Sequence, residues 1–152
     1  MRVYRISTKT FINDLNGDGA RLYGGRWNLK GSSVIYTSES RALASLEYLV
    51  HVPIQLLPND LRIATIEIDD KISPEKLNTG ELPSNWKDFP SPGILAEIGT
   101  NWTYENKSLL LIVPSALVYD EYNILINPSH PDIKHVRISE VKEFFYDKRL
   151  LK

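Results

Sequence analysis

The stretch VIYTSESRALASLEYLVHVP, Val34 to Pro53, decides how this chain reads. Val34 to Thr37 is a β-branched and aromatic run, the signature of a strand. Ser38 or Ser40 can cap a helix after it, because a serine side chain satisfies the free amides at a helix start. Arg41 to Val52 reads as that helix, and Pro53 stops it. Leu43, Leu46 and Val50 recur at i, i+3 and i+7 and mark its expected buried face. Glu47 falls on that apolar face, four residues after Leu43. Burying a carboxylate unpaired is costly, so Glu47 is expected at a rim, against a cation or lining a cleft.

On the N-terminal side, Val3 to Ile6 reads as a short strand. NGDGARLYGGRWNLKGSS, residues 16 to 33, then places five glycines in eighteen positions. Glycine at that density permits unusual dihedrals and close approach of backbone to a ligand. The stretch has neither GxxxxGK[ST] nor a GxGxxG set between strand and helix, so it is no phosphate loop of those types. Taken alone, it is a pair of tight turns.

On the C-terminal side, Arg62 to Ile68 alternates, with Ala64, Ile66 and Ile68 on one side, and reads as a half-exposed strand. Residues 70 to 93 hold four prolines and form an irregular connection with a short helix expected near Pro74 to Leu77. Gly93 to Trp102 reads as a helix. Leu109 to Val113 is a continuous apolar run, expected as a central buried strand. Ile124 to Ile126 is strand-like, Asn127-Pro128 opens a turn, and His135 to Ile138 is a last short strand. Ser139 is expected to cap a final helix with Val141, Phe144 and Phe145 inward. Strands and helices mix without βαβ alternation, so the expected class is α+β, with a mixed sheet and flanking helices in one domain over residues 1–152.

Composition narrows the chemistry. The formal charge is −1 and no basic stripe is present, which argues against a nucleic-acid substrate. Cysteine is absent, so thiolate chemistry and disulfides are excluded. His51, His130 and His135 lie in separate segments without metal-ligand spacing, so no metal is expected. The polar N-terminal segment and the lack of a long apolar run make the cytoplasm the expected location and a membrane role unexpected.

Three features converge: a glycine-rich loop presenting Arg26 and Trp27, a strand carrying Tyr36, and a helix with Glu47 on its inner face. An arginine, an aromatic hydroxyl and a carboxylate sharing one cleft suit a substrate with phosphates, a flat ring and a glycosidic bond. The fragments YRI (Tyr4 to Ile6), GARLYGGRWN (Gly19 to Asn28), VIYTS (Val34 to Ser38), ALASLEYLVH (Ala42 to His51), VPSALV (Val113 to Val118) and NILINPSHPD (Asn123 to Asp132) extend the pattern over nearly the whole chain. In that order and spacing the sequence resembles the RES-domain family. The resemblance implies a fold similar to that of diphtheria-type ADP-ribosyltransferases. It also implies cleavage or transfer at the N-glycosidic bond of NAD, and an Xre-type antitoxin that blocks the active site. Carried over by motif, Arg26, Tyr36 and Glu47 are the expected catalytic set, with Arg5 and Ser115 binding NAD. Asn123 and Asn127 are both candidates for the family's asparagine, and Asn127 is the one expected to bind.

The chemistry fits those residue types. Nicotinamide leaves as a neutral base from a ribose that gains oxocarbenium character, and an anion such as Glu47 stabilises that charge. Arg5 and Arg26 offer always-charged forks for the pyrophosphate. Tyr36 can stack on nicotinamide or bond the ribose. Ser115 is a positioning partner and not a nucleophile, since no base lies beside it. The acceptor is water, inorganic phosphate or a protein side chain, and the sequence does not choose. A homodimer is compatible with all of this.

Read without the resemblance, Arg5 is a sheet-edge ion-pair residue, Trp27 is core, Ser115 caps a strand end, and Arg26 and Glu47 form a structural ion pair. The competing functional classes are a non-catalytic nucleotide- or partner-binding module and a ribonuclease-like toxin. The second is disfavoured by the absence of a histidine pair and of a basic surface.

Overall fold

A computed structural model describes residues 1–152. Seven strands form one sheet: β1 (Arg2–Thr8), β2 (Ile35–Ser38), β3 (Leu61–Ile68), β4 (Glu75–Lys76), β5 (Leu110–Pro114), β6 (Tyr122–Ile126) and β7 (Val136–Glu143). Their spatial order is β4-β5-β6-β2-β1-β3-β7. Only the β4–β5 pair is parallel, so the sheet is mixed, and with α1 (Asp18–Tyr23), α2 (Arg41–Leu49) and α3 (Gly93–Glu105) the class is α+β. No helix is long and apolar enough to cross a membrane.

The apolar alternation of the strands builds cores on the two sides of the sheet. Val3, Ile35, Ala64, Ile66, Ile68 and Ile126 pack in one, and Trp27, Leu95, Trp102, Leu111, Val113 and Leu125 in the other. Leu109 to Val113 is apolar throughout because β5 is covered on both faces, Leu110 facing the first core and Leu111 the second. It is not central, however; only the two-residue β4 separates it from the end of the sheet.

Ser40 caps α2 as its type predicts, its hydroxyl accepting from the Leu43 amide at 3.0 Å. The buried face differs from the expected one. Leu43 and Ala44 are buried and Glu47 and Tyr48 half-buried, while Leu46 and Val50 are 43% and 57% exposed. The cause is Ala44, whose small side chain packs with Ile6 and Leu61 and lets the helix lie close over β1, which turns Leu46 outward.

The expected C-terminal helix is a strand. β7 pairs antiparallel with β3, Val136 opposite Ile68 and Ile138 opposite Ile66, and then Glu140 opposite Thr65. Ser139 is the extra residue of a bulge, and its hydroxyl bonds Thr65 O at 3.3 Å instead of capping a helix. The bulge puts Val141 opposite Ala64, and the expected inward stripe does not form: Val141 and Phe145 are exposed, and Phe144 and Phe145 follow the strand. The short helix expected near Pro74 to Leu77 is likewise β4, which pairs with β5. In both places an open strand edge outweighed local propensity.

One irregularity of the sheet creates the site. β1 and β2 pair only at Tyr4 opposite Ser38. Beyond that contact the two strands part, and the opening carries Arg5 and Ile6 on one wall and Tyr36 and Thr37 on the other.

Candidate active site

The gap between β1 and β2 opens into a cleft of about 550 Å³, within the range of small-ligand pockets. The glycine-rich loop forms one side, α2 another, and the ends of β5 and β6 close it with Pro114, Ala116 and Asn123.

The loop is built around a buried anchor. Trp27 is 2% exposed in the second core, and its neighbour Arg26 therefore projects the other way, into the cleft. α3 lies directly against this loop: a Cβ at Gly99 would sit 1.8 Å from Trp27 O, so only glycine fits. Thr100 accepts from Leu29 N at 2.9 Å, and Ser32 bonds Thr103 at 3.0 Å.

Tyr36 pins the loop from the sheet side. Its hydroxyl accepts from Trp27 N at 3.1 Å and donates to Asn28 Oδ1 at 2.6 Å. Asn28 is buried and its amide donates to Ala20 O at 2.8 Å and Ser32 O at 3.1 Å, which ties α1 to the loop. Burial holds the Tyr36 phenol well above its ordinary pKa, with the Trp27 amide and Arg26 opposing only in part. The hydroxyl is thus neutral and engaged with the loop. Gly25 is required by the same contact, since a Cβ there would meet the Tyr36 hydroxyl at 2.7 Å.

Glu47 projects from α2 onto the opposite wall. Its Oε1 accepts from Asn123 Nδ2 at 2.6 Å and from Ser115 Oγ at 3.0 Å. Ser115 in turn accepts from the amides of Leu117 and Val118, at 3.0 and 3.2 Å, so its proton points at Glu47. Oε2 has no hydrogen bond within the protein and is the free face of the carboxylate.

The two arginines are not paired with carboxylates. Arg26 directs its guanidinium to Trp86 O at 2.7 Å and Asp88 O at 3.3 Å instead of to Glu47. Burial lowers its pKa, while the fields of Glu47 and Tyr36 raise it. Arg5 donates Nη2 to Ile12 O, and its buried Nε has no partner. Burial also lowers the Arg5 pKa, offset in part by Asp14. Both side chains line the cleft.

The fold therefore brings Arg5, Arg26, Tyr36 and Glu47 to one cleft, with Ser115 just behind it. Asn127 is not there. It is fully buried, donates to Thr103 O at 3.2 Å and Asn106 Oδ1 at 2.9 Å, and accepts from Ser129 N at 3.0 Å. It fastens the C-terminus of α3 to the end of β6. It lies four positions along the chain from Asn123, roughly 13 Å in an extended strand, and outside the cleft that holds Asn123. The cleft also holds Ser38, Tyr48 and His51, and Asn28 supports it from behind; none of these four stands out from the sequence as a site residue. Asn28 lies in the GGRWN stretch, Tyr48 follows Ala44 at i+4 on α2, and His51 lies in the turn just after that helix.

The RES domain profile matches residues 2–147. The chain belongs to the RES-domain family. Among its relatives is the Prs ADP-ribosylating toxin of Sphingobium sp. (strain YBL2), 38% identical over 98% of this chain and 96% of that protein. Toxin Res of Yersinia enterocolitica is 39% identical over 99% of each chain, and Toxin Res of Photorhabdus laumondii is 38% identical over 100% of this chain and 98% of its own. In fold, this RES domain is similar to a chain of the M. tuberculosis MbcT–MbcA toxin–antitoxin complex, with a TM-score of 0.74 over 94% of this chain and 83% of that one at 17% identity.

Proposed function

We propose that this RES-family toxin breaks the bond between nicotinamide and ribose in NAD, acting in the cytoplasm as one half of a toxin–antitoxin pair. The observation that carries the proposal is Glu47: a carboxylate held through Oε1 by two donors, with Oε2 free on a cleft that also carries two unpaired arginines. As the C–N bond breaks, its electrons stay on nicotinamide and the ribose carbon becomes cationic. A fixed anion stabilises that charge without reorganising, an effect worth about 3–4 kcal/mol for one preorganised group. Glu47 thus stabilises the ribosyl cation or bonds a ribose hydroxyl. Arg5 and Arg26, which line the cleft without a carboxylate partner, receive the pyrophosphate. Ser115 and Asn123 hold the carboxylate.

The test is nicotinamide released from NAD by the purified protein and by Glu47→Gln, with and without phosphate. Release by the wild type and its loss in the variant, with NAD binding retained, supports the reading. No release under either condition, and no labelled protein, would sink it in favour of a binding module. A second acceptor reading has its own support, because one relative is named an ADP-ribosylating toxin. Transfer of label from adenine-labelled NAD to a host protein distinguishes that route from hydrolysis or phosphorolysis. The solved relative is a toxin–antitoxin complex, which supports an antitoxin, of Xre type by the sequence resemblance, covering this cleft. Undiminished NAD binding in a saturated complex would refute that placement.

A further inference from the structure

We infer that Ser38 is a positioning residue: by donating to the Asn123 amide oxygen, its hydroxyl locks the amide in the orientation that the Glu47 carboxylate requires, and so steadies that carboxylate. The inference rests on the reading of Glu47 as the catalytic group. A carboxylate only accepts hydrogen bonds, so Asn123 must turn its NH2 towards Glu47 Oε1, 2.6 Å away. Its Oδ1 then faces Ser38 Oγ at 2.7 Å, and a hydroxyl facing an amide oxygen must donate. The result is a one-way relay of donors from Ser38 through Asn123 to Glu47.

The carboxylate selects this orientation, and Ser38 is the one other side chain that holds it. Ser38 and Asn123 lie opposite each other in the β2–β6 ladder, but that pairing holds their backbones and leaves the amide free to rotate by half a turn. Turned over, the amide would set its oxygen against the carboxylate. Ser38 is 4% exposed and Asn123 is the only partner of its hydroxyl. The adjacent Thr37 contrasts with it: its hydroxyl bonds Ile124 O at 2.7 Å and serves the sheet alone. Ser38 is also the one residue of β2 that pairs with β1, opposite Tyr4, so it stands at the apex of the cleft.

Ser38→Ala, Asn123→Ala, the double variant and Ser38→Thr test this through nicotinamide release from NAD. Ser38→Ala should lower kcat about tenfold, the scale of one directional hydrogen bond, and leave KM within about twofold. Ser38→Thr, which keeps the hydroxyl, should restore most of the rate. In the Asn123→Ala background Ser38→Ala should have no further effect, because the relay is already cut. Side-chain amide NMR reads the same relay without turnover. The Asn123 NH2 pair, identified by its loss in Asn123→Ala, should have one proton shifted by the carboxylate, and Ser38→Ala should reduce that shift. An unchanged amide pair in Ser38→Ala overturns the inference. So do losses that multiply in the double variant, and so does a raised KM at normal kcat, which would make Ser38 a substrate contact. An amide pair that responds while Glu47→Gln stays fully active shows instead that the reading of Glu47 has failed.

Discussion

Glu47 on α2 and Asn123 on β6, 76 residues apart in the chain, meet at 2.6 Å through a single carboxylate oxygen. That contact joins the helix to the far half of the sheet and leaves Oε2 facing the cleft. It also separates two asparagines that local sequence treats alike. Asn123→Ala should lower kcat for NAD cleavage by about ten- to a hundredfold with little change in Tm. Asn127→Ala, which empties a fully buried set of hydrogen bonds, should cost about 1–3 kcal/mol of stability while the folded fraction keeps its rate. Urea unfolding and steady-state kinetics on both variants check this, and the reverse pattern would place Asn127 in the site.

Arg5 has the features of a group kept for binding at the expense of the fold. It is a partly buried cation with an unpartnered Nε and a pKa lowered by burial. Arg5→Met should therefore leave the urea midpoint unchanged or raise it, since an apolar side chain avoids the desolvation of a charge. The same change should raise KM for NAD about tenfold or more. A variant that unfolds more easily would show that Arg5 is structural.

Two glycines make a sharper contrast. Gly99→Ala would drive a Cβ to 1.8 Å from a backbone oxygen of the loop, and it should cost about 3 kcal/mol or more or prevent folding. Gly93→Ala, with open space around the added methyl at the first turn of α3, should be neutral or slightly stabilising. Thermal melts of the two variants test how tightly α3 clamps the loop that presents Arg26.

The alkaline limb of stability should be shared between Tyr36, with its buried phenol, and a tyrosine behind α2. Tyr146 donates to Ser45 O on that helix, and burial, with Tyr48 adding to it, pushes its phenol up to about 12. A phenol whose folded pKa exceeds the unfolded value near 10 favours the neutral form in the fold. Its contribution is complete below about pH 10 and disappears as pH rises from 10 to 12. Allowing for its solvent exposure, that contribution is about 1 kcal/mol. Tyr146→Phe should lower stability at pH 9 and flatten its decline between pH 10 and 12, measured by urea unfolding alongside phenolate absorbance.

Much of the site is legible in the sequence because it is local. The strand carrying Tyr36, the Ser40 cap and the helix carrying Glu47 come from residue types within twenty positions, and the capping bond forms as its sequence predicts. The GGRWN loop is legible as a place of close backbone approach, and Gly25 bears this out against Tyr36. Charge alone suggests an Arg26–Glu47 ion pair. It does not form because the carbonyls of Trp86 and Asp88 reach the guanidinium first.

The misread elements have one origin. Val136 to Glu143 is a strand because β3 offers it a free edge, which the spacing of Val141, Phe144 and Phe145 does not record. Leucine spacing points to the wrong buried stripe of α2, because Ala44 sets the approach to β1. By itself, then, the sequence determined the mixed class, the strand–cap–helix unit and the residue types of the cleft, since propensity and capping act over a few residues. Only the tertiary structure decided that β1 and β2 part beyond Tyr4 and Ser38, that Asn123 rather than Asn127 meets Glu47, and that Tyr36 holds a loop. Those outcomes depend on strand register, and register is set by partners tens of residues away that no local pattern records.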